Sequence, residues 1–318
     1  MELTMKIPGK AMLSGEFAVL FGGTAVMMPV PRYLKISEID IIPNKLYTPV
    51  IQLALRHPIP EIAEYEKKHG RSHVLTDARD FLTDSGSALP VKLGLGLSAA
   101  EAVAVTAFRF EKAGKPWRKN KREIFNHAYK IHSQAQQGLG SGADVACCAY
   151  AQPLKYRLVK GKPSYEIFDR SKIVYSVPLA LAWTGQSSNT RQLITKFTAW
   201  ATSKDEKSKK LLADLISISN RLADTWFIAA NVEFYKVLDE FNDIMNECAR
   251  QAEILFRLPV HDELDKWARQ YGGRAKPTGA GGGDMVLLIG DLPIDKLDRL
   301  TIPLNTSKAF SEPDSLFA

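Results

Sequence analysis

The amino-acid sequence predicts an α+β fold, because segments of strand character and of helix character follow one another without strict alternation. Apolar and polar residues alternate in YLKISEIDII (residues 33–42), which is typical of a half-buried strand. The run of Ala, Val, Thr and Phe that follows Ser98 contains no helix breaker and predicts a buried helix. A doubly wound parallel sheet is not expected, because it would require a helix after nearly every strand.

The remaining elements follow from the same patterns in chain order. Short apolar runs separated by turn residues predict strands over residues 3–7, 18–28, 153–159, 177–183 and 285–290. Helices are predicted over residues 60–69, 99–113 and 121–137, just after Asp144, in several segments up to about residue 259, and over 262–271 and 294–300. No repeat or low-complexity linker marks a boundary, and we predict a first domain over residues 1–175 and a second over 176–318.

The composition is that of an ordinary globular protein. Its 318 residues are 45% hydrophobic and 24% charged. No apolar run approaches the ~18 residues of a membrane span. Three cysteines, two of them adjacent at Cys147 and Cys148, offer neither a disulfide framework nor metal-ligand spacing. The first ten residues have no secretory pattern. We therefore expect a cytoplasmic protein without a membrane partner.

The formal net charge of +7 favours an anionic partner. Basic residues are scattered, however, with local clusters only at residues 117–122 and 204–210, and such charge runs are usually solvated surface. The sequence contains no zinc-finger spacing and no aromatic RNA-binding signature. We therefore expect a small-molecule partner and no nucleic acid, while the oligomeric state stays open between monomer and homodimer.

The segment LGLGLSA (residues 93–99) precedes the predicted buried helix. Gly94 and Gly96 lack a Cβ and let the backbone approach a ligand closely. Ser98 is the predicted N-cap, and the unpaired N–H groups of such a helix start suit a phosphate. An ordinary helix cap explains the same residues equally well. The spacing excludes a Walker A loop, because no Gly-Lys-Ser/Thr follows.

Two further glycine-rich segments point the same way. In QGLGSGAD (residues 137–144), Asp144 stands where a helix is predicted to begin, so it is either a functional carboxylate or simply an N-cap. In GAGGGD (residues 279–284), the glycine density exceeds what one turn needs and fits a backbone loop lying against a phosphate.

Together with PGKAMLSGEF (residues 8–17), these segments resemble, in this order, the motifs of the GHMP kinases, a group that includes galactokinase, homoserine kinase, mevalonate kinase and phosphomevalonate kinase. The phosphate loop of this group runs Pro, three residues, then Gly-Leu-Gly-Ser-Ser-Ala, and Pro90, Gly94 to Gly96, Ser98 and Ala99 match it. Leu97 replaces the first serine of the pair. The resemblance implies ATP and Mg²⁺ as cofactors, with Ser98 as the metal contact.

Within this group the chain resembles the phosphomevalonate kinases most. Mevalonate kinases place a metal-binding Glu where this chain has Ser133. The phosphomevalonate pattern instead includes a His, a Gln-Gly pair and Gly-Ser-Gly-x-Asp, and this chain matches it at His132, at residues 137–138 and at residues 140–144. A Trp-Thr-Gly segment followed by Ser and Thr also matches, at residues 183–190. Two alternatives stay open: another small-molecule GHMP kinase, such as mevalonate kinase, or a non-catalytic relative that binds a nucleotide or a sugar.

The resemblance implies a two-domain fold, with an amino-terminal domain like domain 2 of ribosomal protein S5, a ferredoxin-like carboxyl-terminal domain and the active site between them. It implies catalytic roles for Lys10 and Asp144, and nucleotide binding by Gly94, Leu95, Gly96, Ser98 and Ala99. The acceptor-binding residues that it implies are Lys10, Glu16, His132, Gln137, Ser141, Gly142, Ser187, Thr190, Arg191, Gly281 and Gly282.

The chemistry of a phosphorylated acceptor adds a requirement for cations. A phosphate monoester is already mostly dianionic at neutral pH, so two anionic groups must approach each other. Lys10, Arg191 and Lys276 are the candidate cations, and Ser141, Ser187, Ser188 and Thr190 are candidate hydroxyl donors. The ordinary alternatives are a surface lysine for Lys10 and a solvated helix residue for Arg191. Glu16 either positions Lys10, organises water around the metal or satisfies backbone donors.

Overall fold

The computed structural model describes residues 3–39, 47–83, 90–168, 177–203, 205–227 and 232–304. The strands within these ranges are β1 (Thr4–Ser14), β2 (Ala25–Ile39), β3 (His73–Asp77), β4 (Leu82–Thr83), β5 (Val91–Lys92), β6 (Leu154–Val159), β7 (Lys162–Ile167), β8 (Leu179–Trp183), β9 (Arg274–Pro277), β10 (Met285–Ile289) and β11 (Thr301–Pro303). The helices are α1 (Pro49–Arg56), α2 (Ala63–His69), α3 (Leu97–Lys112), α4 (Lys121–Ala135), α5 (Ala143–Tyr150), α6 (Thr190–Ala201), α7 (Glu206–Thr225), α8 (Val232–Gln251) and α9 (Pro259–Gln270).

The amino-terminal half is built on an antiparallel sheet with the order β1-β2-β6-β7, and β3 pairs with the far end of the long strand β2. Helix α3 packs on this sheet and also contacts α1, α4 and α5. Every residue of α3 from Ala99 to Phe110 is buried, as expected of a helix that is surrounded by other elements on all sides. The helix prediction for residues 99–113 is confirmed.

The carboxyl-terminal half contains a second antiparallel sheet with the order β11-β8-β10-β9. Helix α9 packs on β9 and β10, while α7 pairs with α8 and also contacts β1 and β2 of the first sheet. One hydrophobic cluster therefore runs through both halves. Each half combines helices with an antiparallel sheet, which confirms the α+β prediction. The domain boundary near residue 175 stays a prediction, because residues 169–176 lie outside the described part of the chain.

The structure differs from the predicted elements in several places. Strands β3, β7 and β9 were not predicted, and the helix predicted over 294–300 is a 3₁₀ turn at Ile294–Lys296. Residues Ala18–Phe21 form a 3₁₀ turn instead of a strand, because the chain turns through Phe17 at φ 55° and Gly22 at φ 93°. Helix α1 was not predicted from the sequence, although Thr48 caps it by accepting the Ile51 N–H and Pro49 begins it. Among the described helices, none is long and apolar enough to cross a membrane.

Candidate active site

A cleft of about 920 Å³ brings the glycine-rich segments of the chain together. Strand β1 contributes Lys10, and the loop between β5 and α3 contributes Gly94 to Ser98. The start of α5 adds Ser141 and Asp144, and the loop before α6 adds Ser187, Ser188 and Thr190. The loop between β9 and β10 adds Thr278, Gly279, Ala280 and Asp284. Segments that lie up to about 270 residues apart in the sequence therefore line one cleft.

The phosphate-loop segment forms the start of α3, with one difference from the sequence prediction. The N-cap of α3 is Gly96, in the left-handed region at φ 82°, and Ser98 lies in the first turn. Glycine suits this position because a side chain at such a φ is strained, and a Cβ would meet the Lys10 side chain at 2.9 Å. Ser98 is therefore free of the capping role, and its hydroxyl lines the cleft. Ala99 lies beneath the loop and is fully buried, so its methyl group does not line the cleft.

Lys10 is attached to this loop by its backbone and by its side chain. Its N–H donates to the Leu95 carbonyl at 2.9 Å, and its ammonium donates to the Gly94 carbonyl at 3.1 Å. The ammonium is therefore held beside the backbone groups that suit a phosphate, and it lines the cleft. Lys10 does lie on the edge strand β1, but its side chain is half-buried and donates to the Gly94 carbonyl, unlike a solvated surface lysine.

Asp144 occupies the first turn of α5, where the N-cap is Gly142 at φ 82°. The predicted alternative, an Asp144 N-cap, is wrong because the helix begins two residues earlier than that role requires. The Asp144 carboxylate accepts the N–H of Val145 at 2.9 Å and lines the cleft. Gly142 does not line the cleft, and a Cβ there would meet the Tyr129 ring at 2.4 Å. Its role is thus to let α5 start close to α4.

His132 lies behind the cleft wall on the last turn of α4, and its side chain is only 3% exposed. Its Nε2 is 3.1 Å from the Ser98 hydroxyl, 3.1 Å from the Gln136 amide nitrogen and 3.7 Å from an Asp144 carboxylate oxygen. His132 does not line the cleft itself. Direct acceptor binding, which the resemblance implied, is therefore not favoured by its position.

Asp284 ends the GAGGGD loop against the phosphate loop. Its carboxylate accepts the Ser188 N–H at 3.1 Å, and its side chain occupies the space next to Gly94. Burial raises the pKa of the Asp284 carboxyl, while the Ser188 hydrogen bond and the nearby Lys10 charge oppose this rise. Asp284 therefore connects the walls of the cleft that come from the two halves of the chain.

Glu16 and Lys276 form a buried ion pair, and both side chains are fully shielded from solvent. Glu16 therefore pairs with Lys276 and not with Lys10, and it does not line the cleft. The expectation that Lys276 supplies a cation to a phosphate is wrong for the same reason, because its ammonium is already used by Glu16 and by two backbone carbonyls.

Four other predicted residues lie outside the lining of the cleft. Gln137 is exposed at φ 57°, and its neighbour Gln136 lines the cleft instead. Gly281 packs against Phe256, and Gly282 packs against Leu193. Neither glycine lines the cleft. Arg191 is exposed on the first turn of α6, beside the cleft residue Thr190.

The sequence reasoning missed the apolar side of the cleft and one of its cations. Met12 follows Lys10 on the same face of β1, and its partner in the sheet register is Met27, which also lines the cleft. Further apolar lining residues include Phe17, Val19, Leu20 and Ile194. Lys92 is a cation at the cleft edge. Its position two residues before Gly94 was a signal that could have identified it.

Comparisons with known proteins show to which proteins this chain is similar. Residues 63–152 match the family model described as the GHMP kinases N terminal domain. A phosphomevalonate kinase of Saccharolobus solfataricus is 23% identical over 309 residues, which cover 91% of this chain and 90% of that protein. This second match covers both halves of the chain, whereas the family model covers only residues 63–152.

Solved structures show the same fold. The mevalonate kinase of Methanococcus jannaschii has a TM-score of 0.68 at 16% identity, over 95% of this chain and 98% of that one. The phosphomevalonate kinase of Streptococcus pneumoniae, in complex with phosphomevalonate and AMPPNP, has a TM-score of 0.67 at 16% identity, over 90% of this chain and 92% of that one. These scores are nearly equal, so fold similarity does not separate the two substrate classes.

Proposed function

We propose that this chain is a GHMP kinase that transfers the γ-phosphoryl group of ATP to (R)-5-phosphomevalonate. Its match to the GHMP kinase N-terminal domain over residues 63–152 and its 23% identity to a phosphomevalonate kinase support the proposal. The products are 5-diphosphomevalonate and ADP, in the mevalonate pathway of isoprenoid biosynthesis. The observation that carries the proposal is the meeting of Lys10, the loop at Gly94–Ser98 and Asp144 in one cleft. That combination supplies a phosphate cradle, a cation and a carboxylate, which phosphoryl transfer uses.

The triphosphate of ATP binds, in this proposal, at the start of α3. The unpaired N–H groups of the first helical turn and the positive end of the helix dipole favour an anion there. Lys10 stabilises the charge that develops on the transferring group, because its ammonium is held next to the same loop by the Gly94 carbonyl. Leu97 supplies no hydroxyl, so backbone groups and Ser98 provide the polar contacts.

The residues of the cleft also fit Mg²⁺. This ion prefers oxygen ligands and is usually held by one or two carboxylates together with substrate phosphates. The Ser98 hydroxyl and the Asp144 carboxylate provide such oxygens, and both lie within 3.7 Å of the same imidazole nitrogen of His132. When bound, the ion would offset negative charge on the β- and γ-phosphates.

The acceptor phosphate binds, in this proposal, before and at the first turn of α6. Ser187 and Thr190 line the cleft there, and the N-terminus of α6 favours an anion. The exposed Arg191 would have to turn its side chain toward the cleft to take part, where its planar fork can hold two phosphate oxygens. Because a phosphate acceptor is already dianionic, it needs no general base, and Asp144 would help to hold the metal instead of removing a proton.

A second candidate is mevalonate kinase, and one observation favours it. Among the described residues, the only cationic side chains that line the cleft are Lys10 and Lys92. Two phosphate groups in close approach need more positive charge than one, so a scarcity of cations suits an unphosphorylated acceptor. For a hydroxyl acceptor, Asp144 would act as the general base.

An ADP-coupled assay with Mg²⁺ and ATP separates these possibilities. The acceptors to compare are 5-phosphomevalonate, mevalonate, galactose and homoserine, and the proposal expects the highest kcat/KM with 5-phosphomevalonate. Arg191→Met should then raise the KM for 5-phosphomevalonate far more than the KM for ATP, with Lys196→Met on the same helix as a control. A preference for mevalonate favours the second candidate, and inactivity with all four acceptors favours a non-catalytic relative.

A further inference from the structure

We propose that His132 is a positioning residue that holds the Ser98 hydroxyl in the orientation needed at the metal and phosphates. The inference rests on the proposed phosphoryl transfer, because Ser98 is the residue through which His132 would act. His132 itself does not line the cleft. It is therefore distinct from the nucleotide and acceptor contacts.

The position of His132 follows from the helix that carries it. Helix α4 buries a stripe that includes Ile124, Ala128, Ile131 and His132, and this side of the helix packs against α3 and α5. Those are the two helices whose first turns carry Ser98 and Asp144. A single side chain on the last turn of α4 thus reaches the starts of both neighbouring helices.

The contacts of His132 converge on one atom. Nε2 lies 3.1 Å from the Ser98 hydroxyl and 3.1 Å from the Gln136 amide nitrogen, and 3.7 Å from the nearer Asp144 oxygen. The side chain of His132 is 3% exposed, whereas that of Asp144 is 25% exposed. Water has little access to this side of Ser98, so the imidazole decides where the hydroxyl points.

This contact has a chemical consequence for Ser98. When the His132 proton is on Nδ1, the one lone pair of Nε2 can accept the proton of the Ser98 hydroxyl in place of one from the Gln136 amide, and the lone pairs of the hydroxyl oxygen are then available on the cleft side. An oxygen presented in this way acts as a ligand for a divalent cation and not as a donor to phosphate. Neighbours that orient ligands typically contribute 10- to 100-fold in metal affinity or activity, as a rough guide.

The chain offers a matched control in His127. It lies on the same helix and is also buried, with 6% exposure, but it contacts Glu61 at 3.0 Å and His57 at 3.1 Å and does not line the cleft. Substitutions at His127 therefore report the cost of removing a buried histidine from α4. Only His132 should affect the site.

The experiment compares His132→Leu, His132→Gln, His127→Leu and His127→Gln with the wild-type protein. We measure kcat, the thermal midpoint, and the Mg²⁺ concentration that half-saturates ADP binding by calorimetry. His132→Leu should raise this Mg²⁺ concentration and lower kcat by roughly tenfold or more. His132→Gln should recover most of both losses, because its amide can reach the former position of Nε2. The two His127 variants should keep both values near wild type.

Two results would overturn the inference. One is a His132→Leu variant that changes the Mg²⁺ requirement no more than His127→Leu does. The other is a His132→Gln variant that is folded but as impaired as His132→Leu, since a hydrogen bond would then not be the cause. The calorimetric measurement needs no acceptor, so it tests His132 even where wild-type protein transfers no phosphate. A wild-type protein that transfers no phosphate would count against the proposed function and not against the role of His132.

Discussion

The Glu16 carboxylate and the Lys276 ammonium form an ion pair that joins the two halves of the chain out of contact with solvent. Lys276 also donates to the carbonyls of Leu13 and Pro277, at 3.3 and 2.8 Å. Burial raises the pKa of Glu16 and lowers that of Lys276, and the attraction between the two charges opposes both shifts. The pair therefore fixes β9 against the end of β1, next to the cleft.

Removing one partner of this pair should destabilise the protein strongly. Lys276→Met leaves the Glu16 charge buried without its counter-ion, which typically costs about 3–5 kcal/mol of unfolding free energy. The double variant Glu16→Leu/Lys276→Met should recover part of that loss, because no charge is left buried. Urea unfolding measures the unfolding free energy of the single and of the double variant. The exposed pair Glu206 and Lys209 is the control, and Lys209→Met should have no measurable effect.

Asp144→Asn and Lys10→Met should lower turnover while the protein stays folded. Asp144 does not cap its helix, so an amide should preserve α5 while losing the negative charge. We expect kcat to fall roughly 100-fold or more in Asp144→Asn, and by a similar factor in Lys10→Met. Steady-state kinetics and circular dichroism provide the measurements. Normal turnover in both variants would remove these residues from the mechanism.

Gly94→Ala should impair the cleft through a clash with Asp284. A Cβ on Gly94 would meet the Asp284 Cγ at 2.3 Å and displace the carboxylate from the Ser188 N–H. Gly114 has nearly the same backbone angle, φ 70° against 74°, but a Cβ there would have no neighbour within 4 Å. Gly114→Ala therefore measures the backbone strain alone. ATP binding by calorimetry should weaken only in Gly94→Ala, and equal affinities would contradict the clash.

Leu97→Ser should change ATP affinity only modestly. The substitution adds one hydroxyl in the first turn of α3, at a position that lines the cleft, and one net hydrogen bond corresponds to roughly 2- to 10-fold. The ranking of acceptors should not change, because the proposed acceptor site lies at the start of α6 and not at α3. Nucleotide KM values and acceptor kcat/KM values test this. If the wild-type protein is inactive and Leu97→Ser alone restores full activity, the non-catalytic alternative gains support.

Stability should fall between about pH 6.5 and pH 4 because of His261. Its Nδ1 accepts the Leu258 N–H at the start of α9, and burial lowers its pKa from 6.5 to about 4. In that range the unfolded chain binds a proton that the folded chain does not, so stability is complete above about pH 6.5 and is lost as the pH falls. The loss should approach about 1.4 kcal/mol per pH unit within this window.

The comparison of wild type with His261→Gln isolates this contribution. Glutamine can still accept the Leu258 N–H but does not titrate. Urea unfolding at pH 7, 6 and 5 should therefore show a weaker pH dependence in the variant. Identical slopes in the two proteins would assign the acid sensitivity to other groups.

The sequence by itself determined the elements and motifs whose signals are local. The apolar run after Ser98 determined a buried helix, and the spacing of Gly94 and Gly96 determined a backbone loop open to a ligand. Lys10, Asp144 and Ser187 were identified from short motifs, and all three line the cleft. The helix and the loop depend on backbone freedom and periodicity within about ten residues, so they needed no tertiary information, whereas Lys10, Asp144 and Ser187 followed from the resemblance of their motifs to those of the GHMP kinases.

Only the tertiary structure decided which residues face the cleft and which support it from behind. Gln136 and Gln137 are neighbours of the same type, and the direction of the chain at the end of α4 places the first at the cleft and the second in solvent. Glu16 and Lys276 are 260 positions apart, and nothing in their local sequence indicates that they pair. Packing brings such distant groups together, because burial requires each charge to find its partner.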